Sequence, residues 1–242
     1  MTEINPNMGS SVNALMQEYR AITNNLANAS TPGYKSRTTS FSSIMEQKLG
    51  PDGKPEDTIK AHTGINFMQG NLRQTDRRLD IAINGKGFFV IETPDGPRYT
   101  RNGSLHLNHN RQLVDTAGNN IAGQNGPIVL PQGATVQQLS FGPDGTVSAN
   151  GMNIGQLSLV DFGNKVGQLM PTEHGAFIAP EEVRPQPATQ TEVKQGFQEA
   201  SNVGITQELV KLITVNRLYE ANMKIISKSG ENTKSILNVA MG

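Results

Sequence analysis

Few residues in this sequence have the types and spacing that catalysis or ligand binding requires. His106 and His109 are separated by two residues, but a zinc site needs further ligands at suitable spacing and none is evident. Asn84-Gly85-Lys86-Gly87 resembles the start of a dinucleotide-binding fingerprint. Val90 stands where that fingerprint needs its third glycine, and no strand–helix–strand unit follows. The pattern therefore predicts surface histidines near a turn, and a glycine-rich turn between two strands.

The remaining candidate groups make no better case for an enzyme. Cysteine is absent, which excludes thiolate zinc sites, iron–sulfur clusters and cysteine nucleophiles. No Gly-x-Ser-x-Gly elbow occurs. A hydrolase that cuts peptidoglycan would need a paired acid or a nucleophile in a cleft, and nothing places two carboxylates together among Asp76, Asp80, Glu92, Asp95 and Asp115. We predict no enzyme, no metal and no cofactor.

Composition and charge point away from other partner classes. Lys and Arg number 21, as do Asp and Glu, so net charge gives no reason to expect binding to nucleic acid or to an anionic membrane. The N-terminus lacks a basic region followed by an apolar run, so no secretory signal peptide is predicted. No segment has the roughly 18 apolar residues of a membrane span.

The N-terminal segment has the apolar period of a helix. Asn5-Pro6 supplies an N-cap residue and a first-turn proline. Thr31-Pro32-Gly33 ends the pattern, because proline lacks an N–H and disfavours helical backbone before it, while glycine accepts a positive φ. A helix from Pro6 to Asn28 is predicted. Its apolar residues alternate at spacings of four and three, which makes a heptad seam: Met8, Val12, Leu15, Tyr19, Ile22 and Leu26.

The C-terminal segment repeats this period over a longer stretch. Asn202 and Thr206 are its candidate caps. Its seam runs through Ile205, Leu209, Leu212, Asn216, Tyr219, Met223, Ile226, Gly230, Thr233, Leu237 and Ala240. A second line of apolar residues widens the stripe: Ile213, Leu218, Ile225, Ile236 and Val239.

Neither helix can bury its apolar stripe alone. An antiparallel coiled coil of the two would cover both stripes, and a helical hairpin inside a globular domain fits the periodicity equally well. The helices stand at opposite ends of the chain. The apolar positions left over on the C-terminal helix need another partner, for which neighbouring copies are the candidates.

The middle of the chain has the period of β-strands. Leu79, Ile81 and Ile83 alternate in LDIAI, and GFFVIET follows the glycine-rich turn. Short strands separated by Asn, Gly, Pro and Asp turns predict a mostly antiparallel β domain. RYTRNGSLHLN predicts a further strand pair, and the other predicted strands are QLVDT, IVLP, VQQLSF, GTVSA and GQLSLVDF.

The order of elements predicts an α+β protein. Its N- and C-terminal helices pair as a coiled-coil-like module, and a mostly antiparallel β domain is inserted between them. The predicted parts are an N-terminal helix in 1–34, a connector in 35–77 with a turn at GPDGKPED, the β domain in 78–182, a return connector in 183–199 and a C-terminal helix in 200–242.

Three colinear blocks resemble one family, the bacterial flagellar axial proteins of rod and hook. Residues 24–35, NNLANASTPGYK, resemble the N-terminal signature of that family. Residues 69–121 are similar to a block shared by rod and hook members, and SNVGITQELVKLITVNRLYEANMKIISKSGENTKSILNVA resembles their C-terminal helix. The chain length implies a rod protein with a single β domain. The short segment QKLGPDGKPEDTIKAHTG favours the proximal rod type over the distal type, and a hook-type subunit is a further alternative.

The resemblance implies a structural role. Such subunits polymerise helically into a hollow drive shaft that transmits torque, and their paired terminal helices line the export channel. The asparagine carboxamides would bond neighbouring subunits, or they are the solvated face of a helix. Thr31, Pro32 and Gly33 would let the chain leave the inner tube. The implied assembly residues are Leu15, Tyr19, Ile22, Asn24, Asn25, Leu26, Asn28, Leu209, Leu212, Asn216, Tyr219, Met223, Ile226 and Leu237.

The implied partners are other rod subunits and the flagellar type III export apparatus. The implied location is the periplasmic rod of the basal body, reached without a cleaved signal peptide. No nucleic acid, small-molecule substrate or membrane insertion is predicted. A surface adhesin or other binding module built on the β domain is the alternative from a different class, and the seams at both termini argue against it.

Overall fold

The computed structural model describes residues 6–49, 55–172 and 175–240. Helix α1 is Pro6–Ala27 and helix α2 is Ile205–Ala240. Proline is the first residue of α1, as predicted, while Asn5 lies outside the described residues. Neither predicted cap of α2 holds: the helix begins at Ile205, and the Glu208 N–H donates to the Gly204 carbonyl at 3.0 Å. Asn202 therefore precedes the helix, and Thr206 lies within its first turn.

The chain forms two compact units. The helical unit contains the described residues up to Ala27, then Arg37–Asn66, and the residues from Val203 onward. The β unit contains Asn28–Ser36 and Phe67–Asn202. The predicted connector 35–77 is thus divided between the two units, and the residues of the predicted return connector 183–199 belong to the β unit.

The helical unit contains a β-hairpin that the sequence pattern did not predict. Strand β1 is Arg37–Leu49 and strand β2 is Pro55–Ile65, and they pair antiparallel with Arg37 opposite Ile65. Residues 50–54 of the expected turn lie outside the described residues. Helix α1 contacts α2 and both strands of the hairpin. The hairpin was missed because Ser and Thr dominate its first strand, so apolar alternation is weak there.

The β unit is built from short strands. They are β3 Leu72–Gln74, β4 Ile81–Gly85, β5 Phe88–Thr93, β6 Gly96–Thr100, β7 His106–Leu107, β8 Leu113–Val114, β9 Asn120–Gly123, β10 Gly126–Pro127, β11 Leu139–Phe141, β12 Thr146–Ala149, β13 Met152–Gln156, β14 Leu159–Asp161, β15 Met170–Pro171, β16 Ala176–Ile178, β17 Gln186–Pro187, β18 Thr191–Gln195 and β19 Phe197–Glu199.

All strand pairs in the described residues are antiparallel, which confirms the predicted α+β class with a mostly antiparallel β domain. The largest sheet has the order β15-β16-β6-β5-β9-β8-β7, with β10, β14 and β17 attached at its side. Strands β11-β12-β13 form a second sheet. Strand β18 pairs with β4, and β19 pairs with β3. The return connector is extended, as predicted, but it joins the sheets.

The core of the β unit follows the predicted alternation. Leu79, Ile81 and Ile83 are buried on one face, and Ile81 and Ile83 are fully covered. Phe89 of β5 is also fully buried in this cluster. A second group of rings packs in edge and tilted contacts, which are the favoured arrangements for aromatic pairs: Phe67, Phe88, Tyr99, Phe162 and Phe177.

Two predicted strands are wrong in detail. Residues Val136–Gln138 form a 3₁₀ helix and only Leu139–Phe141 is a strand. The Thr135 N–H donates to Gln138 Oε1 at 2.8 Å, a local side-chain bond of the kind that favours a helix start over an extended chain. In IVLP, Val129 makes an isolated bridge with Gln112 and no ladder.

Candidate functional site

The residues that looked most like chemistry are surface or turn residues. His106 and His109 are exposed, and the described residues contain no group of three or more side chains placed to hold a metal. Asn84 and Gly85 end β4, and Lys86-Gly87 turns the chain into β5, as predicted. Across the described ranges no helix combines the length and apolar character that membrane crossing demands.

The turn that follows α1 is tightly bonded within the β unit. The Thr31 N–H donates to the Asn28 carbonyl at 3.1 Å, and the Thr31 hydroxyl lies 3.2 Å from Asn28 Oδ1. The Gly33 N–H donates to the Glu199 carbonyl at 2.7 Å. The turn is therefore anchored to the strand β19, which ends at Glu199.

Glycine is required at position 33 for two reasons. Its φ is +71°, in the left-handed region that side chains disfavour. A Cβ there would lie 2.4 Å from both the Arg101 carbonyl carbon and the Asn102 nitrogen. These are backbone atoms and cannot move aside easily, so the turn packs against the chain at Arg101 only because residue 33 has no side chain.

Three buried charged residues lie beside this turn, and we call them the basal cluster: Lys35, Arg101 and Glu199. Lys35 Nζ is 2.6 Å from Glu199 Oε1, and both side chains are completely buried. Arg101 Nη1 is 3.2 Å from Glu199 Oε2. One carboxylate therefore holds two cations, each on its own oxygen.

Hydrogen bonds from the backbone complete the basal cluster. The Lys35 ammonium also donates to the Met68 carbonyl at 2.8 Å, and the Gly70 N–H donates to Glu199 Oε1 at 2.9 Å. Arg101 Nη2 donates to the Gly85 carbonyl at 2.8 Å. Its guanidinium lies 5.4 Å from the centre of the Phe88 ring, within cation–π range. Buried charges are tolerated only with such partners.

Burial dominates the electrostatics of the basal cluster. It lowers the pKa of Lys35, and the nearby Glu199 carboxylate opposes that shift. It likewise lowers the pKa of Arg101, again opposed by Glu199. Removing the carboxylate would leave two buried cations without their anion.

Asn202 extends this network. It is the last residue of the β unit, and it bonds the ends of both chain segments that make up this unit, 28–36 and 67–202. Its Oδ1 accepts the Ser36 N–H at 2.7 Å, and its Nδ2 donates to the Met68 carbonyl at 2.9 Å. The Asn202 N–H lies 3.4 Å from the Tyr34 carbonyl. Residues at three segment ends of the β unit are thus joined by one set of hydrogen bonds.

A second polar group is buried in the helical unit, and we call it the helix-pair cluster: Asn25, Glu208 and Lys211. The Asn25 carboxamide bonds the Arg37 backbone twice, accepting its N–H at 2.8 Å and donating to its carbonyl at 2.9 Å. Its Nδ2 also lies 3.1 Å from Glu208 Oε2, and Lys211 Nζ is 2.7 Å from Glu208 Oε1. Asn25 is only 1% exposed.

The other asparagines of the N-terminal signature are half-buried. Asn24 Nδ2 donates to the Arg20 carbonyl of its own helix at 2.8 Å, and Asn28 forms the turn with Thr31. The structure thus shows bonds within the chain for all three asparagines. A role for them in contacts between subunits stays a prediction.

The predicted assembly residues of the seams have different degrees of burial. Ile22 is buried, while Leu15, Leu26, Leu212 and Ile226 are half-buried. The side chain of Leu237 lies outside the described part. The exposed members are Tyr19, Leu209, Asn216, Tyr219 and Met223.

The buried faces of both helices are displaced from the predicted seams. On α2, Glu208 and Val215 are buried, and neither belongs to the seam. On α1, the buried residues include Ala14, Ala21 and Asn25, which also lie beside it. At about 100° per residue, the buried face of α2 lies roughly 60° around the helix from the seam. One edge of the apolar stripe is therefore covered within the chain, and the other edge is exposed.

Sequence patterns did not assign a role to Lys35, Arg101, Glu199 or Glu208. The one available signal was that Lys35 ends the family-like signature directly after the turn. Long charged side chains in isolation usually indicate solvated positions. Their pairing with partners 98, 164 and 183 positions away in the sequence could be seen only in the fold.

Comparisons with known protein families match three parts of the chain, and these overlap the three blocks identified from the sequence. Residues 8–35 match the family described as flagella basal body rod protein, and 82–149 match the flagellar hook protein FlgE/F/G D1 domain. Residues 194–239 match the flagellar basal body rod FlgEFG protein C-terminal family. Lys35, Arg101 and Glu199 of the basal cluster each lie in a different one of these three matches.

Curated relatives cover nearly the whole chain. The flagellar basal-body rod protein FlgG of Buchnera aphidicola (strain APS) is 35% identical, over 87% of this chain and 89% of that protein. FlgG of Bacillus subtilis is 32% identical, over 90% and 91%. The flagellar basal-body rod protein FlgF of Caulobacter vibrioides is 30% identical, over 91% of each. The chain belongs to the flagellar basal-body rod protein family.

Proposed function

We propose that this chain is a structural subunit that polymerises helically into the hollow rod, which transmits torque and encloses the export channel. Contacts between unlike surfaces of identical subunits build a filament when they do not close into a ring. In this proposal, the two terminal helices pair as a coiled-coil-like module and line the channel. The observation that carries the proposal is the exposed apolar edge of α2.

That exposed edge contains four large apolar side chains. Ile205, Leu209, Ile213 and Met223 are 51%, 46%, 55% and 43% exposed and lie along one side of α2. Fully burying such a side chain contributes about 1.5–3 kcal/mol. Neighbouring subunits that cover this side would therefore gain much of their binding energy from it.

The basal cluster fits a subunit that transmits torque. A shaft subunit must keep its shape under torsion, and the cluster joins segment ends of the β unit through buried charges and backbone bonds. Displacing any of these groups would leave a buried charge without its partner, which is strongly unfavourable. The network makes this part of the β unit stiff.

For the position along the rod, we propose the proximal type, because the segment QKLGPDGKPEDTIKAHTG is short. A specific observation favours the distal alternative: the FlgG relatives reach 35% identity, and the FlgF relatives are 30% identical. We also propose export by the flagellar type III apparatus to the periplasmic rod. The other subunits of the rod are the proposed partners.

The apolar edge is tested by one substitution and a matched control. Leu209→Asp places a charge on the exposed edge, and Thr214→Asp places the same charge on an exposed polar position on another side of the same helix. We expect Leu209→Asp to abolish rod assembly and motility in a strain that lacks the native gene, with the β unit still folded. Thr214→Asp should retain motility. Normal motility of Leu209→Asp would contradict the proposed interface.

The position is tested by electron cryomicroscopy of isolated basal bodies. The proximal type predicts density for this chain near the base of the rod, with α1 and α2 on the channel wall. Density only in the upper rod toward the hook would assign the distal type. Absence from the axis would overturn the structural role and favour a binding module.

A further inference from the structure

Asparagine followed by glycine occurs four times in this chain: at residues 84, 102, 125 and 150. In such a pair, the glycine backbone nitrogen can attack the asparagine side-chain carbonyl carbon, because no Cβ obstructs it. A C–N bond forms as the bond from Cγ to Nδ2 breaks, and ammonia leaves with the proton of the glycine amide. Water then opens the cyclic imide to aspartate or isoaspartate.

We propose that Asn150 is the site of spontaneous deamidation in the folded protein. Asn150 and Gly151 are the two turn residues between β12 and β13, with Ala149 opposite Met152 at the strand ends. Both have positive φ, +54° and +75°, as in a type I′ hairpin. Both residues are exposed, and nothing lies within 4 Å of the position a Gly151 Cβ would take.

The Asn150 N–H donates to the Gln138 carbonyl at 3.2 Å and holds one side of the turn, but the two groups that react are not held in this way. Within the described part of the chain, no hydrogen bond is formed by the Asn150 side chain or by the Gly151 N–H. The tip can therefore rearrange while the neighbouring strand pair stays intact, which is the motion that the attack needs. Water, the only other reactant, reaches an exposed turn without hindrance.

Two of the other pairs are held by hydrogen bonds. Asn84 Nδ2 donates to Glu192 Oε2 at 3.1 Å, and the Gly85 N–H donates to Gln69 Oε1 at 3.1 Å. Asn102 Oδ1 accepts the Ser104 N–H at 3.0 Å, and its glycine is buried. Attack at either position would break these bonds.

In the remaining pair Asn125 is exposed, whereas its glycine is half-buried and part of a ladder. Asn125 precedes Gly126, which lies in β10 opposite Gly123 of β9, and Pro127 follows. The backbone at Gly126 is therefore less free than that at Gly151. We expect Asn125 to react more slowly than Asn150 and faster than Asn84 and Asn102.

The experiment is a time course of the purified full chain at mildly alkaline pH, with peptide mass spectrometry of all four positions. The same incubation in strong urea gives each position its unfolded rate, so that the folded-to-unfolded ratio removes the effect of local sequence. We expect the ratio at Asn150 to be at least several-fold higher than the ratios at Asn84 and Asn102. Equal ratios, or a lower ratio at Asn150, would overturn the proposal.

A variant tests the assigned reaction. Gly151→Ala adds a Cβ beside the attacking nitrogen and should slow deamidation of Asn150 at least several-fold. The rate at Asn84 in the same sample reports whether the β unit remains folded, because that rate rises if the fold opens. With Asn84 still protected, an unchanged rate at Asn150 would contradict attack by the Gly151 nitrogen.

Discussion

The β unit and the helical unit treat their large apolar side chains in opposite ways. In the β unit, Ile81 and Phe89 are fully buried and belong to one continuous core. In the helical unit, Val210 and Ile213 are 59% and 55% exposed. The β unit thus buries a continuous core and exposes only scattered large apolar side chains such as Met68 and Met152, whereas the helical unit exposes a row of them along α2 that other molecules can cover. In the proposed assembly, the β unit would fold alone and neighbouring subunits would complete the burial of the helical unit.

The two units are alike in how they bury polar groups. The basal cluster of the β unit and the helix-pair cluster of the helical unit both surround a buried glutamate with donors. The difference is in the cations: Glu199 pairs with two cations that are both buried, while the single cation beside Glu208 is 54% exposed. Substitutions in the basal cluster should therefore have the larger effects.

The largest effect is expected from Glu199→Gln. The substitution leaves Lys35 and Arg101 as buried cations without an anion, so the free energy of unfolding of the β unit should fall by about 3–5 kcal/mol. Urea unfolding followed by circular dichroism measures the loss. Glu192→Gln is the matched control, because Glu192 is exposed and should change stability by less than about 0.5 kcal/mol. Similar stability of the two variants would contradict the assigned role of the basal cluster.

Gly33→Ala should have the next largest effect. A positive φ costs an alanine about 1–2 kcal/mol, and the contacts at 2.4 Å with backbone atoms add to that cost. Gly118→Ala separates the cost of a positive φ from the cost of the clash, because Gly118 has a φ of +87° and open space around it. The difference in urea midpoint between the variants measures the clash. An equal loss in both would mean that the turn does not depend on its approach to Arg101.

Asn25→Ala tests the helix-pair cluster. It leaves the Arg37 backbone groups and one Glu208 oxygen without this partner, which should destabilise the helical unit by about 1–3 kcal/mol. Asn13→Ala on the same helix is the control, because Asn13 is exposed and alanine favours a helix. Amide exchange in α1 compares the two variants. Unchanged protection in Asn25→Ala would show that the carboxamide does not hold the helix in place.

The smallest effect is a pH dependence due to Glu18. Burial raises its pKa above 4.5; Lys211 opposes the shift and Glu208 adds to it. The folded chain thus binds this proton more tightly than the unfolded chain does. The resulting stabilisation is complete below pH 4.5 and is lost as the pH rises through the raised pKa.

Glu18→Gln should therefore flatten the pH dependence of the helical unit. We expect the variant to be slightly more stable than the native chain near neutral pH, with the difference shrinking as the pH falls toward 4.5. Urea unfolding at a series of pH values measures this. A difference that stays constant over the series would rule out the shifted carboxyl as its source.

Sequence patterns predicted the parts of the fold that depend on local periodicity. The alternation of Leu79, Ile81 and Ile83 identified the core face of β4, and the period of α1 ended within one residue of Ala27. Proline at position 6 marked the first helical residue. These signals succeeded because each is set by neighbours along the chain.

The parts that depend on distant partners could not be predicted in this way. A seam search finds the most apolar face of a helix, whereas the buried face of α1 contains Ala14, Ala21 and a hydrogen-bonded asparagine. Asn25 meets Glu208 across 183 residues, and Lys35 meets Glu199 across 164. A polar residue in a sequence predicts an exposed position, unless the partner that would bond it in the core is known. The turn residues Thr31, Pro32 and Gly33 were singled out, but their anchor at Glu199 was not.

The central claim is that assembly completes the burial that the helical unit lacks. Amide hydrogen exchange of the purified monomer and of the assembled rod tests it most directly. We predict slow exchange in strands β4 and β5 in both samples, with α1 and α2 exchanging markedly faster in the monomer than in the rod. Full protection of both helices in the monomer, with no further gain on assembly, would contradict the account.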